Sequence, residues 1–200
     1  MQSQSTHSDA LNKAHKALAQ EQYERAHGLA MEVLKQDPRA AEAYFIMALI
    51  SHRHENIAKA EDIVQRALSF DADNADYLLF QAQCLLELNK QEQAKAVVAG
   101  FGGKSLATAH QNDTLGVLHS RLGQHISALP RFTLACELEP DSVSYRYNLA
   151  SCMQFSGQFG DAEVAYETAI KLAPDHYRSH SSLSQLRKVS ADDNHIGRLK

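Results

Sequence analysis

The sequence has little of several features that define whole classes of protein. It has no tryptophan, 4 prolines, 9 glycines and 3 cysteines in 200 residues. So few glycines and prolines argue against a disordered or loop-rich chain. The cysteines, Cys84, Cys136 and Cys152, form no close-spaced pair, which argues against a disulfide or zinc framework. We therefore expect a folded protein of a reducing compartment, the cytoplasm.

Long apolar runs and an excess of positive charge are also missing. The longest apolar run, residues 43–50, is far shorter than the about 20 residues that a membrane helix needs. Residues 1–13 are polar, without the apolar core of a secretory signal. Lys plus Arg is 20 and Asp plus Glu is 24, which gives a formal net charge of −4. A nucleic-acid binder normally presents a basic face, so neither membrane nor nucleic acid is an expected partner.

What the sequence does contain is a repeat of 34 residues. Alanine recurs at this interval as Ala26, Ala60, Ala94, Ala128 and Ala162. Counted from residue 7, the units span 7–40, 41–74, 75–108, 109–142 and 143–176, with these alanines at position 20 of each unit. Position 8 is small in every unit, and positions 24 and 27 are apolar or aromatic. Such self-similarity at a fixed period is the signature of a repeat architecture.

Each unit predicts two antiparallel helices. Apolar residues recur at helical spacing on both sides of a polar break, which contains Gly123 and Gly157 in the last two units. Glycine there can adopt the left-handed conformation that ends a helix. Small residues at positions 8 and 20 let the two helices cross closely. In the third unit, Gly100 and the two glycines of residues 102–103 interrupt the second helix, so we expect a shortened helix followed by a loop.

This pattern resembles the tetratricopeptide repeat over residues 7–176. The resemblance implies an all-α fold, a right-handed solenoid of five helix-turn-helix repeats. Residues 177–189 place apolar side chains on one side and polar ones on the other, which predicts a C-terminal capping helix. We expect residues 1–6 to be a disordered lead and residues 190–200 a polar tail.

The resemblance also implies where a partner would bind. In this family the first helix of each unit lines a concave groove, chiefly through positions 2, 5, 9 and 12. Positions 5 and 9 supply the expected contact residues Phe45, Leu49, Leu79, Gln83, Asp113, Tyr147 and Ser151. An open apolar strip would bind a peptide or a helix, whereas a strip covered by a neighbouring helix or a second copy would not. Because positions 8, 20, 24 and 27 already fill the space between the helices, we expect that the core does not need Phe45, Leu49 or Leu79. Phe45→Ala should therefore cost less than about 1 kcal/mol of stability.

No combination of residues predicts catalysis or metal binding. His52 and His54 are two residues apart, so a helix points them to different sides. His176 and His180 have a helical ligand spacing but no third ligand nearby in the sequence. No nucleophile comes with a base and an orienting group. We therefore expect no catalytic residue, no metal site and no cofactor within this chain.

The function that these features favour is a non-catalytic scaffold that binds a protein or peptide in the groove. Two alternatives stay open. Residues 180–188 followed by 192–196 resemble the junction between repeats and catalytic domain in bacterial tetratricopeptide–sulfotransferase proteins. The chain would then be a recruiting module whose catalytic domain lies beyond residue 200. The other alternative is a self-association module that forms a homo-oligomer.

Overall fold

The computed structural model describes residues 2–187, and the side chains of residues 7–187. Over this part of the chain the structure has eleven helices and no strand, which confirms the all-α fold. The helices are α1 (Gln2–Ala19), α2 (Tyr23–Gln36), α3 (Ala41–Arg53), α4 (Ile57–Leu68), α5 (Ala75–Glu87), α6 (Gln91–Ala99), α7 (Ala109–Arg121), α8 (His125–Leu138), α9 (Val143–Phe155), α10 (Phe159–Leu172) and α11 (Tyr177–Leu186). None of these helices is long and apolar enough to cross a membrane.

Each predicted unit holds one pair of helices, and α11 follows the fifth pair. Helix α1 begins at Gln2, so it extends through the segment for which the sequence predicted disorder. No proline or glycine precedes Gly28, and nothing in the backbone chemistry therefore stops α1 from continuing upstream. Helix α11 ends at Leu186. The end of the predicted capping helix, the polar tail and the part of the junction-like segment from residue 188 onward lie outside the described residues.

The turn between the two helices of a unit has the same backbone in all five units. Position 15 has a positive φ throughout, 73° at Gly123 and 78° at Gly157, which confirms the predicted left-handed glycines. The same conformation occurs without glycine in the first three units, where φ is 59° at Glu21, Glu55 and Asn89. The turn is therefore a property of the repeat, and glycine only relieves the steric cost that other residues bear there.

The core lies between the paired helices, where the repeat pattern placed it. The five alanines at position 20 are all 0% exposed, and positions 8, 24 and 27 are buried in every unit. The fit is close in the fourth unit, where a Cβ atom added to Gly116 would lie 2.7 Å from the Phe132 ring. Small residues at the helix crossing thus allow the close approach of the two axes.

The third unit departs from the others in its second helix. Helix α6 has nine residues, whereas α4 has twelve and α2, α8 and α10 have fourteen each. Turns replace helix from Gly100 onward, which confirms the predicted shortening and loop. The chain divides at this loop into two compact units, each of which holds more than one repeat. From here on, unit 1 means residues 1–102 (helices α1–α6) and unit 2 means residues 103–200 (helices α7–α11), and a 34-residue segment is called a repeat.

Candidate peptide-binding surface

In both units the first helices of successive repeats are neighbours. Helix α3 packs on α1 in unit 1, and α9 packs on both α7 and α11 in unit 2. Several side-chain hydrogen bonds join neighbouring first helices. The two residues of each bond are 35 apart in the sequence, so a residue at one position of a repeat bonds the residue one position further along in the next repeat. We call the surface that these helices form the first-helix surface, of unit 1 (α1, α3, α5) or of unit 2 (α7, α9, α11).

The apolar residues predicted to be open in unit 1 are largely covered. The ring of Phe45 lies with its centroid 4.6 Å from that of Tyr77 and 5.6 Å from that of Phe80, and it packs against the core cluster around Ala48. Leu79 is only 3% exposed. The expectation that the core does not need these side chains is therefore wrong, because α5 brings aromatic rings against α3.

Leu49 and Gln83 are half-buried. Leu49 packs against the same cluster as Phe45. The Gln83 side-chain amide donates to the Glu87 carboxylate at 3.0 Å, and His52 bonds the other oxygen of that carboxylate at 2.9 Å. Gln83 is thus already engaged within unit 1.

A second set of side-chain hydrogen bonds in unit 1 joins three first helices. The Nε2 atom of His15 lies 2.5 Å from Glu42 Oε1, and the Tyr77 hydroxyl donates to Glu42 Oε2 at 2.5 Å. These three residues come from α1, α3 and α5 in turn. The sequence analysis did not predict these hydrogen bonds. The spacing of 35 between Glu42 and Tyr77 is the signal in the sequence that could have indicated them.

The contacts of Glu42 shift two pKa values in opposite directions. Burial by itself would raise the pKa of Glu42, but hydrogen bonds with His15 and Tyr77 outweigh burial and hold that pKa below its ordinary value of 4.5. Burial first, and then the bond to Glu42, raises the pKa of the Tyr77 hydroxyl above its ordinary value of 10.0. The favoured state is therefore an ionised carboxylate beside a neutral phenol.

The lowered pKa of Glu42 predicts a loss of stability in acid. Such a group stabilises the fold above its unfolded-state pKa and stops doing so as the pH falls through its lower folded-state pKa. We expect Glu42→Gln to cost about 1 kcal/mol at pH 7, because the partly exposed carboxylate bonds are screened by solvent, and to cost much less near pH 3. Urea unfolding at both pH values measures the difference.

The matched control is Glu32→Gln, which changes an exposed carboxylate on α2. It should leave stability unchanged at both pH values. An equal cost of Glu42→Gln at pH 7 and pH 3 would show that the charge of this carboxylate does not contribute.

The predicted residues of unit 2 lie in a more polar setting. The Asn148 amide donates to Asp113 Oδ1 at 2.9 Å, and burial raises the pKa of Asp113 despite this bond. The Arg178 guanidinium lies 4.6 Å above the Tyr147 ring, a cation–π contact between α9 and α11. The Tyr147 hydroxyl also lies 3.5 Å from Ser182 Oγ. Contacts from α11 thus hold Tyr147 in place, although it stays half-exposed.

Ser151, the last predicted contact, lines a cavity of about 390 Å³ in unit 2. The cavity lies between α7, α8 and α9 and is lined by Val117, Ser120, Arg121, His125, Phe132, Asn148, Ser151, Cys152 and Phe155. Unit 1 has a cavity of about 430 Å³ beside α1, in which His15 and Glu42 bond each other. A larger cavity, about 790 Å³, lies at the turn between α1 and α2, away from every predicted contact.

The described part of the chain includes the histidines and cysteines that the sequence singled out. No group of three or more His, Cys, Asp or Glu side chains there could hold a metal ion. His176 bonds Ser179, and His180 donates to the Pro174 carbonyl at 2.9 Å. The three cysteines are buried and unpaired, and burial raises the pKa of each thiol, that of Cys84 to about 12.

The comparisons with known proteins agree with the geometry. The tetratricopeptide repeat family matches residues 11–75 and again residues 143–176. The chain is similar to the solved structure of YrrB, described as a TPR protein with an unusual peptide-binding site (21% identity, TM-score 0.65, 86% of this chain and 89% of that chain). It is also similar to Pseudomonas aeruginosa PilF (16% identity, TM-score 0.72, 100% of both chains).

A third similar structure is a thermophilic TPR protein of Thermus thermophilus (18% identity, TM-score 0.68, 90% of this chain and 98% of that chain). No curated protein matches the chain. At these identities the solved structures show the fold alone. Together with the family matches and the five helix pairs, they identify the chain as a tetratricopeptide repeat protein.

Proposed function

We propose that this chain is a non-catalytic scaffold that binds a peptide segment of a protein partner, chiefly on the first-helix surface of unit 2. The observation that carries the proposal is a contrast between the two units. On unit 1 the polar groups of this surface bond one another, as His15 does with Glu42 and His52 does with Glu87. On unit 2, Asp113 and Asn148 also bond each other, but the half-exposed ring of Tyr147 lies under the Arg178 guanidinium, and half-exposed Ser151 lines a cavity.

Three further points support this assignment. Tyrosine and arginine are the residue types that most often anchor protein interfaces. One similar structure is described as having a peptide-binding site, which is a property of that protein at 21% identity. The buried, unpaired thiols suit the reducing cytoplasm that the sequence predicts. Phe45 and Leu49 remain proposed contacts through their exposed parts, whereas Leu79 is too buried to be one.

Selection of a random peptide library on the purified chain tests this proposal. We expect a set of related peptides, and a loss of affinity of tenfold or more in Tyr147→Ala, as for other aromatic interface anchors. The matched control is Tyr177→Ala, because Tyr177 is 74% exposed and outside the proposed contacts. Ser151→Glu offers a second variant that does not remove a packed ring.

Two results would contradict the proposal. One is the failure of any peptide family to emerge from the selection. The other is equal binding by the wild type, Tyr147→Ala and Ser151→Glu, which would place the peptide elsewhere on the chain.

Self-association is a second candidate function, and it has its own observation. Large apolar side chains are exposed on the outer sides of α8 and α10, at 89% for Ile126, 41% for Leu134, 51% for Leu138, 66% for Val164 and 39% for Leu172. They occupy positions 18, 22, 26 and 30 of their repeats. The same positions of the first two repeats carry Glu24, Gly28, Glu32, Gln36, Ala58, Asp62, Arg66 and Phe70.

The repeat fold does not require apolar residues at these positions, since α2 and α4 are mostly polar there. On α8 the four positions carry Ile126, Pro130, Leu134 and Leu138, none of which is charged. Such a surface suits a second copy of itself better than a charged partner. Sedimentation equilibrium tests this reading. We expect a dimer that Leu134→Lys turns into a monomer, while Glu32→Lys, at the same position on α2, leaves the dimer intact. A monomeric wild type at its highest soluble concentration would contradict it.

A further inference from the structure

The cavity of unit 2 places an aromatic ring beside polar groups. Its lining includes the ring of Phe155 and the polar side chains of Ser120, Arg121 and His125. None of the described residues that line the cavity carries a carboxylate. Tyr147, the main proposed peptide contact, is not among the lining residues. The cavity therefore differs in chemistry from the part of the first-helix surface around Tyr147.

The ring of Phe155 has one face free for stacking. The imidazole of His125 is stacked on its other face, with centroids 5.4 Å apart and planes at 12°. Phe155 is nevertheless 71% exposed, so the face away from His125 is open. An open aromatic face at the wall of a cavity suits a planar ligand ring, since offset stacking is a favoured arrangement of aromatic groups.

Two buried polar groups at this cavity lack a strong hydrogen-bond partner. The Nδ1 atom of His125 is buried without any partner. The hydroxyl of Ser120 is buried as well, and only the Cys152 thiol, a weak acceptor, is within its reach. Such groups cost stability until a ligand or a water molecule satisfies them. A hydrocarbon ring cannot do so, whereas a heterocycle carries donors and acceptors along its edge.

A positive charge without a partner lies at the same cavity. The Arg121 side chain is exposed and makes no hydrogen bond or ion pair with any described residue. A guanidinium binds a phosphate through two parallel hydrogen bonds. A phosphate group carries up to two negative charges, whereas a carboxylate carries one. At an exposed cation, where solvent weakens each ion pair, the higher charge of the phosphate favours it as the ligand.

The equivalent place in unit 1 lacks this combination of groups. In unit 2 the groups come from positions 13 and 17 of the fourth repeat and position 13 of the fifth. At the same positions the second and third repeats carry Arg53, Ile57 and Glu87. Glu87 would repel a phosphate, and Ile57 offers no ring for a stack. The aromatic, cationic cavity is therefore a feature of unit 2 and not of the repeat in general.

We propose that this cavity binds a mononucleotide, with the base stacked on the open face of Phe155 and the phosphate on Arg121. The edge of the base then satisfies the buried groups of His125 and Ser120. A cavity of about 390 Å³ is at the small end of ligand sites, which suits a single nucleotide. The formal net charge of −4 leaves no excess of positive charge to follow a longer nucleic-acid strand. This inference does not depend on the peptide-binding function.

Titration of the purified chain with AMP, GMP, CMP and UMP, followed by NMR chemical shifts, tests the inference. We expect at least one nucleotide to bind with a Kd in the millimolar range or tighter. It should bind at least tenfold more tightly than its own nucleoside, which lacks the phosphate, and than ribose 5-phosphate, which lacks the base. Binding by none of these nucleotides, or equal binding of the nucleotide and either fragment, would overturn the inference.

Two variants locate the nucleotide on the chain. Phe155→Ala should weaken binding at least fivefold, because it removes the stack with the base. Arg121→Gln should remove the preference for the nucleotide over the nucleoside, because glutamine cannot offer the charged, bidentate donor pair. The matched controls are Phe159→Ala, a ring that is 59% exposed and outside the cavity, and Arg53→Gln, an exposed arginine of unit 1. Both controls should bind the nucleotide as the wild type does.

Unchanged binding in Phe155→Ala, or a retained preference in Arg121→Gln, would likewise overturn the inference. Tyr147→Ala separates this site from the proposed peptide contacts. It should lose affinity for the selected peptides and keep its affinity for the nucleotide, so the failure of one proposal is distinguishable from the failure of the other.

Discussion

Phe45→Ala should destabilise the protein by about 2 kcal/mol, less than the about 3 kcal/mol or more of a fully buried phenylalanine, because the residue is half-buried. The ring packs on Tyr77 and Phe80 of the following repeat, so alanine removes both aromatic contacts and leaves a space that two large rings cannot fill. Urea unfolding at neutral pH measures the change.

The matched control for Phe45→Ala is Phe159→Ala, which truncates a ring that is 59% exposed at the start of α10. That change should stay within about 0.5 kcal/mol. If the two variants unfold at the same urea concentration as the wild type, Phe45 is not part of the packing between α3 and α5. The first-helix surface of unit 1 would then be open, as the sequence alone predicted.

Gly116→Ala should destabilise the protein by about 2 kcal/mol, although alanine is the better helix former. The added Cβ atom would meet three ring atoms of Phe132 at 2.7 to 3.0 Å. That ring is 2% exposed and packed among Cys136, Leu149 and Cys152, so turning it away from the added methyl group would break these contacts. Thermal or urea unfolding of the variant gives the cost.

Two comparisons separate this clash from other effects at Gly116. Gly28→Ala places a methyl group on α2 with nothing within 4 Å, so it should stabilise by up to about 1 kcal/mol. Combining Gly116→Ala with Phe132→Val should recover stability, because the second repeat already pairs Ala48 with Val64 at the same positions. A stabilising Gly116→Ala would mean that the α7–α8 crossing is looser than the structure shows.

The packing within a repeat was accessible from the sequence, because it depends on residues at fixed spacings in one helix pair. The small size of Ala128 and Gly116 alone predicts the close helix crossing, and Gly100 predicts the early end of α6. Each of these signals restricts the backbone directly, whatever the neighbouring repeats contain.

The packing between repeats was not accessible in the same way. Whether Phe45 faces solvent or a ring depends on Tyr77 and Phe80, which lie in another repeat. The bonds of Glu42 likewise need partners from two other helices. The left-handed turn at Glu21 escaped prediction because side chains disfavour that conformation and only the repeat fold imposes it.

The early end of α6 has a consequence for how the protein denatures. The stability of a repeat protein is about the sum of the stabilities of its repeats and of the interfaces between neighbouring repeats. Unfolding is cooperative only as far as these interfaces hold the repeats together. Helix α6 has only nine residues, glycine turns follow it at 100–103, and the chain divides there into two compact units. Calorimetry should therefore register a van't Hoff enthalpy below the calorimetric enthalpy, the mark of unfolding in more than one step.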